Sequence, residues 1–356
     1  MHPEAATTWR LGHRPELDAV RGIAIALVVL SHLTPEGSAG RIPGLVGVIV
    51  FFTLSGFLIT SLLLEQHEQH GRVDLRRFYR ARAYRLAPAM LSMVAFVVAT
   101  NLLWEPIAPT SLVVGTLTWT SNWVIATGGH SGTALTHTWS LAIEEQFYLL
   151  WPLVIIVVAR RRRLLLAATV TGVCVPVLLR FLLAASGTDR IMNGTDTRAD
   201  SLLVGCLLAV LVHGRPEGRS EPVAAAGCLV AVLASCLMGV IPIVVLAPLL
   251  VAVATAGAIH WSARGDGVRW LRARPLTLLG KRSYGLYLWH WPIIVVVDRL
   301  LHRDGGLLVA VVVLPLAALV TEASWQFVEQ PFLRRRHGTR ARDPRPIPEP
   351  AAVASP

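Results

Sequence analysis

The chain alternates long apolar runs with short, arginine-rich polar interruptions, and each run is about as long as a tilted helix that crosses a bilayer, roughly 15–25 residues. The runs occupy 17–36, 43–64, 84–103, 139–159, 164–185, 199–213, 222–238, 240–261, 276–297 and 306–328. This pattern predicts an all-α, polytopic membrane bundle of about ten transmembrane helices. A further apolar stretch, 111–126, is shorter and carries Ser111, Thr116, Thr118, Thr120, Ser121 and Asn122.

The basic residues decide how that stretch is read, because cytoplasmic loops hold an excess of Lys and Arg. With 111–126 outside the bilayer and the N-terminus in the cytoplasm, most of the 33 Lys and Arg fall in loops on the cytoplasmic side. Only Arg41, Arg190, Arg198, Arg299 and Arg303 fall in loops on the other side. Counting 111–126 as a span flips every later loop and turns the cluster Arg160 to Arg163 outward. The segment 104–138 is therefore expected to be an external loop with a re-entrant or surface helix, and both termini are expected to be cytoplasmic. The organisation that follows is one membrane domain over 1–333 and a basic, proline-rich, disordered tail over 334–356.

Composition removes the soluble alternatives. The sequence is 54% hydrophobic and 15% charged, against roughly one-quarter charged in soluble domains. A net charge of +11 invites a nucleic-acid reading, but such a site gathers its cations on one wet face. Here they are scattered between apolar runs, so no nucleic-acid partner is expected. Cys174, Cys206, Cys228 and Cys236 lie inside apolar runs with no C-x-x-C pair. They read as small packing residues, and no metal site is expected. The first run carries Asp18, Arg21 and His32, which is unlike a cleavable signal sequence, and it is expected to stay in the mature protein.

Ionisable side chains within a span are costly, so a functional role is their default reading. Asp18, Arg21 and His32 share one face of the first helix, and the rise of ~1.5 Å per residue puts His32 roughly 16 Å beyond Arg21. Snorkelling of Arg21 and a backbone bond from His32 would also account for them. In the fourth run His137, Leu141 and Glu144 share a side, with Glu145 and Tyr148 next to it. In the ninth, Ser283, Tyr287 and His290 follow one face, and His290 lies at a depth similar to His32. The second run carries the small residues Gly47, Ser55 and Gly56, which permit close approach of a backbone or a ligand. Arg82 and Arg85 are helical neighbours beyond it, in a basic segment that a cytoplasmic anchor would also explain. Glu322 and Glu329 close the last run in either a helix-ending or a catalytic role.

The sequence has no G-x-S-x-G elbow, P-loop or H-E-x-x-H motif, which excludes the hydrolases and ATPases built on them. A deep histidine and carboxylates on the outer side, with arginines on the cytoplasmic side, suit transfer of an acyl group to a hydroxyl. That reaction needs a base for the hydroxyl, donors for an oxyanion, and cations for a phosphorylated carrier.

In order along nearly the whole chain stand Leu17-Asp18-Ala-Val-Arg21-Gly22 followed by His32, Phe51-Phe52-x-x-Ser55-Gly56-Phe57, Arg82-x-x-Arg85 with Pro88, and Trp139-Ser-Leu-x-x-Glu144. Thr197-Arg198-Ala-Asp200, Tyr284-x-x-Tyr287-Leu-x-His290 and Glu329-x-Pro331-Phe332 follow. In this the sequence resembles acyltransferase family 3, the O-antigen acetylase-like integral membrane acyltransferases. The resemblance implies a multi-pass protein of the bacterial plasma membrane. It implies acyl-CoA, with acetyl-CoA the expected form, entering from the cytoplasm, and an acceptor hydroxyl on a sugar, surface glycan, glycolipid or glycosylated small molecule. It also implies that His32 is the general base with Arg21 required beside it, that Glu144 or Tyr287 orients the acceptor or the base, and that His290 belongs to the same catalytic group. Arg82 and Arg85, with Arg77 beside them, are implied to hold the CoA phosphates. Longer members carry a C-terminal extracytoplasmic domain where this sequence has a short tail after Phe332, so an acceptor that needs no such domain is expected. A homo-oligomer is left open. The competing expectation is a proton-coupled transporter using Glu144, His32 and His290, although no internal repeat of the transporter kind is visible.

Overall fold

A computed structural model describes residues 10–12, 14–34, 42–128, 132–214, 240–263, 269–302 and 306–338. All its regular elements are helical. Besides three short 3-10 turns, they are α1 (Pro15–His32), α2 (Ile42–His70), α3 (Leu75–Leu103), α4 (Thr110–Leu117), α5 (Ser121–Gly128), α6 (Trp139–Val158), α7 (Arg162–Leu182), α8 (Thr188–Asn193) and α9 (Thr195–Arg198). Beyond these come α10 (Asp200–Val212), α11 (Val240–Ala263), α12 (Arg274–Leu301), α13 (Leu307–Ala323) and α14 (Gln330–Gly338), with one π-helical turn, Ser324–Glu329, joining the last two.

Among the described residues six segments are long and apolar enough to cross a membrane: Ile42–His70, Leu75–Leu103, Thr136–Val158, Arg162–Leu182, Val245–Ala263 and Leu307–Arg334. The run expected at 222–238 lies outside the described residues, as do Cys228 and Cys236 and the tail after Gly338. The runs at 17–36, 199–213 and 276–297 form α1, α10 and α12. Of these, α10 is short, whereas α1 carries Glu16, Asp18 and Arg21, and α12 carries Arg274, Lys281, Arg282, Asp298 and Arg299. These two charge-bearing helices, α1 and α12, are packed on each other. The segment 104–138 holds α4 and α5, eight residues each, or ~12 Å of helix, too short to cross.

One apolar core joins α1, α2, α3, α6 and α12 through Ile25, Phe52, Met93, Ile143 and Leu288. The outward faces are apolar too: Leu150 of α6 is 60% exposed, Leu182 of α7 69% and Leu319 of α13 68%. A surface of that kind suits lipid rather than water. Burial in a bilayer gives helices no hydrophobic reason to associate, so close backbone approach at small residues matters more. A Cβ on Gly280 would strike the Asp18 carbonyl, and one on Gly22 the Leu276 carbonyl. Glycine at these two positions therefore lets α1 and α12 touch backbone to backbone.

The turn between α4 and α5 has an unusual occupant. Thr120 donates its backbone N–H to the Gly115 carbonyl at 2.7 Å, and Trp119 donates to Thr116 at 3.4 Å, the pairing of a Schellman motif. Its left-handed position normally holds glycine. Here Trp119 takes it with φ of 59°, a backbone state that costs a residue with a Cβ ~1–2 kcal/mol.

Candidate active site

The bundle places polar side chains from five helices around one cavity of about 110 Å³, lined by Arg21 of α1, Ser55 of α2, Arg85 of α3, Glu144 of α6 and Tyr287 of α12 among others. Sites that hold a whole small ligand measure ~300–1,000 Å³, so this one suits the end of a longer molecule. Arg21 lies 3.8 Å from Asp18 one turn earlier, as the i,i+3 spacing requires. Glu144 and Glu145 diverge because neighbouring helical residues point ~100° apart. Glu144 faces the cavity, whereas Glu145 receives Arg82 at 2.8 Å from Nη2 and 3.0 Å from Nε. The Arg82 guanidinium also lies 3.0 Å over the Tyr148 ring, and the Tyr148 hydroxyl is hydrogen-bonded to Ser55.

At the far end Ser140 and Tyr287 form the wall. Ser140 Oγ and Tyr287 Oη are 2.6 Å apart, and Tyr287 donates to the His137 carbonyl at 2.9 Å. Immediately beyond lies a group of imidazoles. His32 Nδ1 is 3.0 Å from His290 Nε2, with the rings stacked at 5.2 Å and 18°. His290 Nδ1 lies 3.0 Å from the Leu286 carbonyl one turn back. That carbonyl can only accept, so Nδ1 of His290 carries the proton and, in the neutral ring, its Nε2 accepts. His32 therefore donates from Nδ1, and its lone pair is on Nε2. His137 closes the group, its ring 5.6 Å from those of Tyr287 and His290. Among the described residues no group of three His, Cys, Asp or Glu side chains is placed to hold a metal ion.

Of the residues singled out from the sequence, Arg21, Arg82, Arg85, Glu144 and Tyr287 surround the cavity. His32 and His290 meet each other, but neither belongs to its lining. Arg21 and His32 share a face of α1, but Arg21 lines the cavity together with the hydrogen-bonded Ser140 and Tyr287, and His32 does not. Arg77 is exposed on the first turn of α3 with its backbone N–H on the Asp74 carboxylate at 2.9 Å, away from the cavity. Glu322 pairs with Arg282 at 2.8 Å, and Glu329 is buried against α12 near Gly285. Cys206 is buried and Cys174 exposed.

Two features escaped the sequence reading. Arg198 was counted in an external loop, yet its side chain and those of Arg180 and Asp200 are fully buried. Arg180 binds Asp200 at 2.7 Å and also donates to the Val245 and Thr197 carbonyls. Among the described residues none of the three Arg198 nitrogens has a hydrogen-bond partner, and its guanidinium carbon lies 5.8 Å from the Trp139 ring. The loop folds inward because α9 packs on α6, α7 and α10. The second feature is a wider cleft of about 330 Å³ on the other side of Arg82 and Tyr148, lined by Trp119 and Trp123. Its signal in the sequence is two tryptophans four residues apart in a threonine-rich segment, within the stretch expected to be an external loop with a re-entrant or surface helix.

A family model described as an acyltransferase domain matches residues 14–322. The chain belongs to acyltransferase family 3. It is 32% identical over 360 residues to the O-acetyltransferase OatA of Staphylococcus aureus strain NCTC 8325, covering 92% of this chain and 58% of that protein. It is 30% identical to the peptidoglycan O-acetyltransferase OatA of Listeria monocytogenes, over 91% of this chain and 56% of the relative. It is 31% identical to the putative peptidoglycan O-acetyltransferase YrhL of Bacillus subtilis, over 92% and 56%. The chain thus spans little more than half the length of these curated relatives. No solved structure matches it.

Proposed function

We propose that this chain is an O-acyltransferase of the bacterial plasma membrane that moves an acetyl group from acetyl-CoA to a hydroxyl of a glycan. The observation that carries the reading is the pairing of His32 with His290, which orients a ring nitrogen with a lone pair just beyond a cavity lined by cations. The charge asymmetry of the loops favours a cytoplasmic side for both termini and for Arg85. Arg85, with Arg82 behind it and Arg77 further out, meets the CoA phosphates, while the thioester end occupies the cavity. Arg82 acts more as a wall than as a phosphate ligand, since Glu145 already holds it.

The acceptor hydroxyl gives its proton to His32 Nε2, and its oxygen attacks the thioester carbonyl. The oxyanion that forms takes hydrogen bonds from the Tyr287 and Ser140 hydroxyls at the end of the cavity. The C–S bond then breaks, an ester is left on the acceptor, and the thiolate recovers the proton from the His32 imidazolium. For this to happen the Tyr287 side chain leaves the His137 carbonyl, which joins the two halves of the passage. Glu144 stands beside the acyl end, across the cavity from Tyr287, and orients it. The relatives' names, O-acetyltransferase and peptidoglycan O-acetyltransferase, favour acetyl as the acyl group and a glycan as the acceptor.

The test is acetyl-CoA turnover by the purified chain in nanodiscs. Release of thiol that depends on a glycan acceptor, with label recovered as alkali-labile ester, is expected. Proton-coupled flux of a solute without any release of thiol would instead mark a transporter and end this reading.

A further inference from the structure

The cleft beyond Arg82 and Tyr148 is not part of the cavity just described, and its chemistry is different. Its volume of about 330 Å³ falls within the ~300–1,000 Å³ range of sites that hold a small molecule. Trp119, Trp123 and Tyr79 supply its rings, and the Arg82–Glu145 ion pair forms its back wall. Thr118 and Thr120, whose hydroxyls are 2.8 Å apart, stand exposed at its rim.

Side chains of the network that ties α5 to α6, α8 and α9 also hold both tryptophan positions. Arg190 lies 5.1 Å over the Trp123 ring and is itself fixed by two bonds to Asp196, at 2.9 and 2.6 Å. Gln146 of α6 donates to the Trp119 carbonyl at 2.6 Å and to Asn122 Oδ1 at 2.9 Å, which pins the turn to the bundle. Trp119 also holds a left-handed position that glycine would fill without strain. An indole kept there against its backbone preference, preorganised and half-exposed, is a pointer to a ligand.

We infer that this cleft is a remote acceptor subsite, binding between Trp119 and Trp123 a pyranose ring of the glycan other than the one whose hydroxyl reaches His32; the inference rests on the acyltransferase reading above. One face of a pyranose is made of C–H groups and suits an indole, and its hydroxyl edge suits the carboxylate, guanidinium and threonine hydroxyls beside it. The adenine of CoA would stack equally well, but its phosphates would then approach Glu145, and Arg82 is already neutralised by that residue. The subsite shares Arg82 and Tyr148 with the cavity that holds the acyl end, so the ring bound here is walled off from the thioester by that stacked pair, and the reacting hydroxyl belongs to another unit of the same glycan.

The probe is the β-1,4-linked tetramer of N-acetylglucosamine, titrated calorimetrically into the full chain in nanodiscs, with acetyl transfer followed in parallel. Trp119→Gly removes the ring while relieving the backbone, so the variant is expected to fold, with the relieved left-handed position offsetting part of the lost packing against the core. It and Trp123→Ala should each weaken tetramer binding and raise the acceptor KM by on the order of tenfold, about one aromatic contact. Trp123→Tyr should recover most of the loss, and the KM for acetyl-CoA should stay within twofold. Wild-type protein that does not bind the tetramer, or Trp119→Gly that binds it normally, overturns the subsite. A rise in the KM for acetyl-CoA instead assigns the cleft to the nucleotide and overturns it as well. Tetramer binding that depends on Trp119 without any acetyl transfer leaves the subsite standing and removes the acyltransferase reading.

Discussion

His290 fixes the tautomer of His32: the Leu286 carbonyl holds the proton on Nδ1 of His290, and Nε2 of that ring, 3.0 Å from Nδ1 of His32, accepts the bond that directs the His32 lone pair to its other nitrogen. The relation is the one a buried carboxylate provides in hydrolase triads, made here by a second imidazole. His290→Phe keeps the bulk and loses the acceptor. It should lower kcat by roughly 10²-fold, at the low end of what a positioned base contributes, with both KM values nearly unchanged. His290→Gln, whose amide oxygen can accept the same hydrogen, should retain more activity than the Phe variant in steady-state acetyl transfer. Equal activity of the two would separate His290 from this role.

Tyr287 stands where the cavity ends. Its hydroxyl contacts Ser140 and the His137 carbonyl, and in the proposed reaction it turns to the oxyanion. Loss of one such donor costs ~10²–10³ in kcat. Tyr287→Phe is expected to show a loss of that size with normal membrane levels and normal thermal stability. Single-turnover kinetics under saturating donor isolates the chemical step.

The approach of α1 to α12 sets the distance between His32 and His290. Gly280→Ala introduces a methyl against the Asp18 carbonyl. Overpacking of this kind costs ~1–3 kcal/mol, and Tm should fall accordingly, by less than the ~2–4 °C per kcal/mol of domains of ~150–250 residues. Gly128, where an added Cβ meets nothing within 4 Å, is the control: Gly128→Ala should leave Tm unchanged. Thermal unfolding followed in detergent distinguishes the two.

Most of the helical architecture is legible in the sequence because run length is a strong signal. The meeting of His32 and His290 follows from matched depth on two helices, which residue counting supplies. Adjacent Glu144 and Glu145 were also recognisable as out of place in an apolar run. Their separate fates were not, because which of two neighbours faces a cavity depends on helix rotation, set here by Arg82 stacking on Tyr148. Arg198 was misplaced for a related reason. A short polar connection looks external in a one-dimensional hydropathy profile, and only packing of α9 against three other helices, with Arg180 supplying a partner for Asp200, turns it inward. The Trp119 turn was hidden because its Schellman bonds carry a residue that turn statistics would not select.

The ion pair between Arg82 and Glu145 is partly screened, with side chains 20% and 16% exposed. Glu145→Gln strips Arg82 of its charged partner and should destabilise by about 1–2 kcal/mol, less than the ~3–5 kcal/mol for a fully buried pair. The double variant Arg82→Gln with Glu145→Gln should recover part of the loss, and a double-mutant cycle on unfolding free energies reads the coupling. Purely additive effects would show that the two side chains do not act as a pair.

The central claim is that the His32 imidazole takes the acceptor proton. Its most direct test is the rate of label transfer from [14C]acetyl-CoA to a glycan acceptor by His32→Gln in the full-length chain, with donor binding measured alongside. The expected result is a loss of about 10³-fold or more in kcat, within the range for a general base, with the Kd for acetyl-CoA unchanged. Transfer by the variant within twofold of the unmodified chain would contradict it.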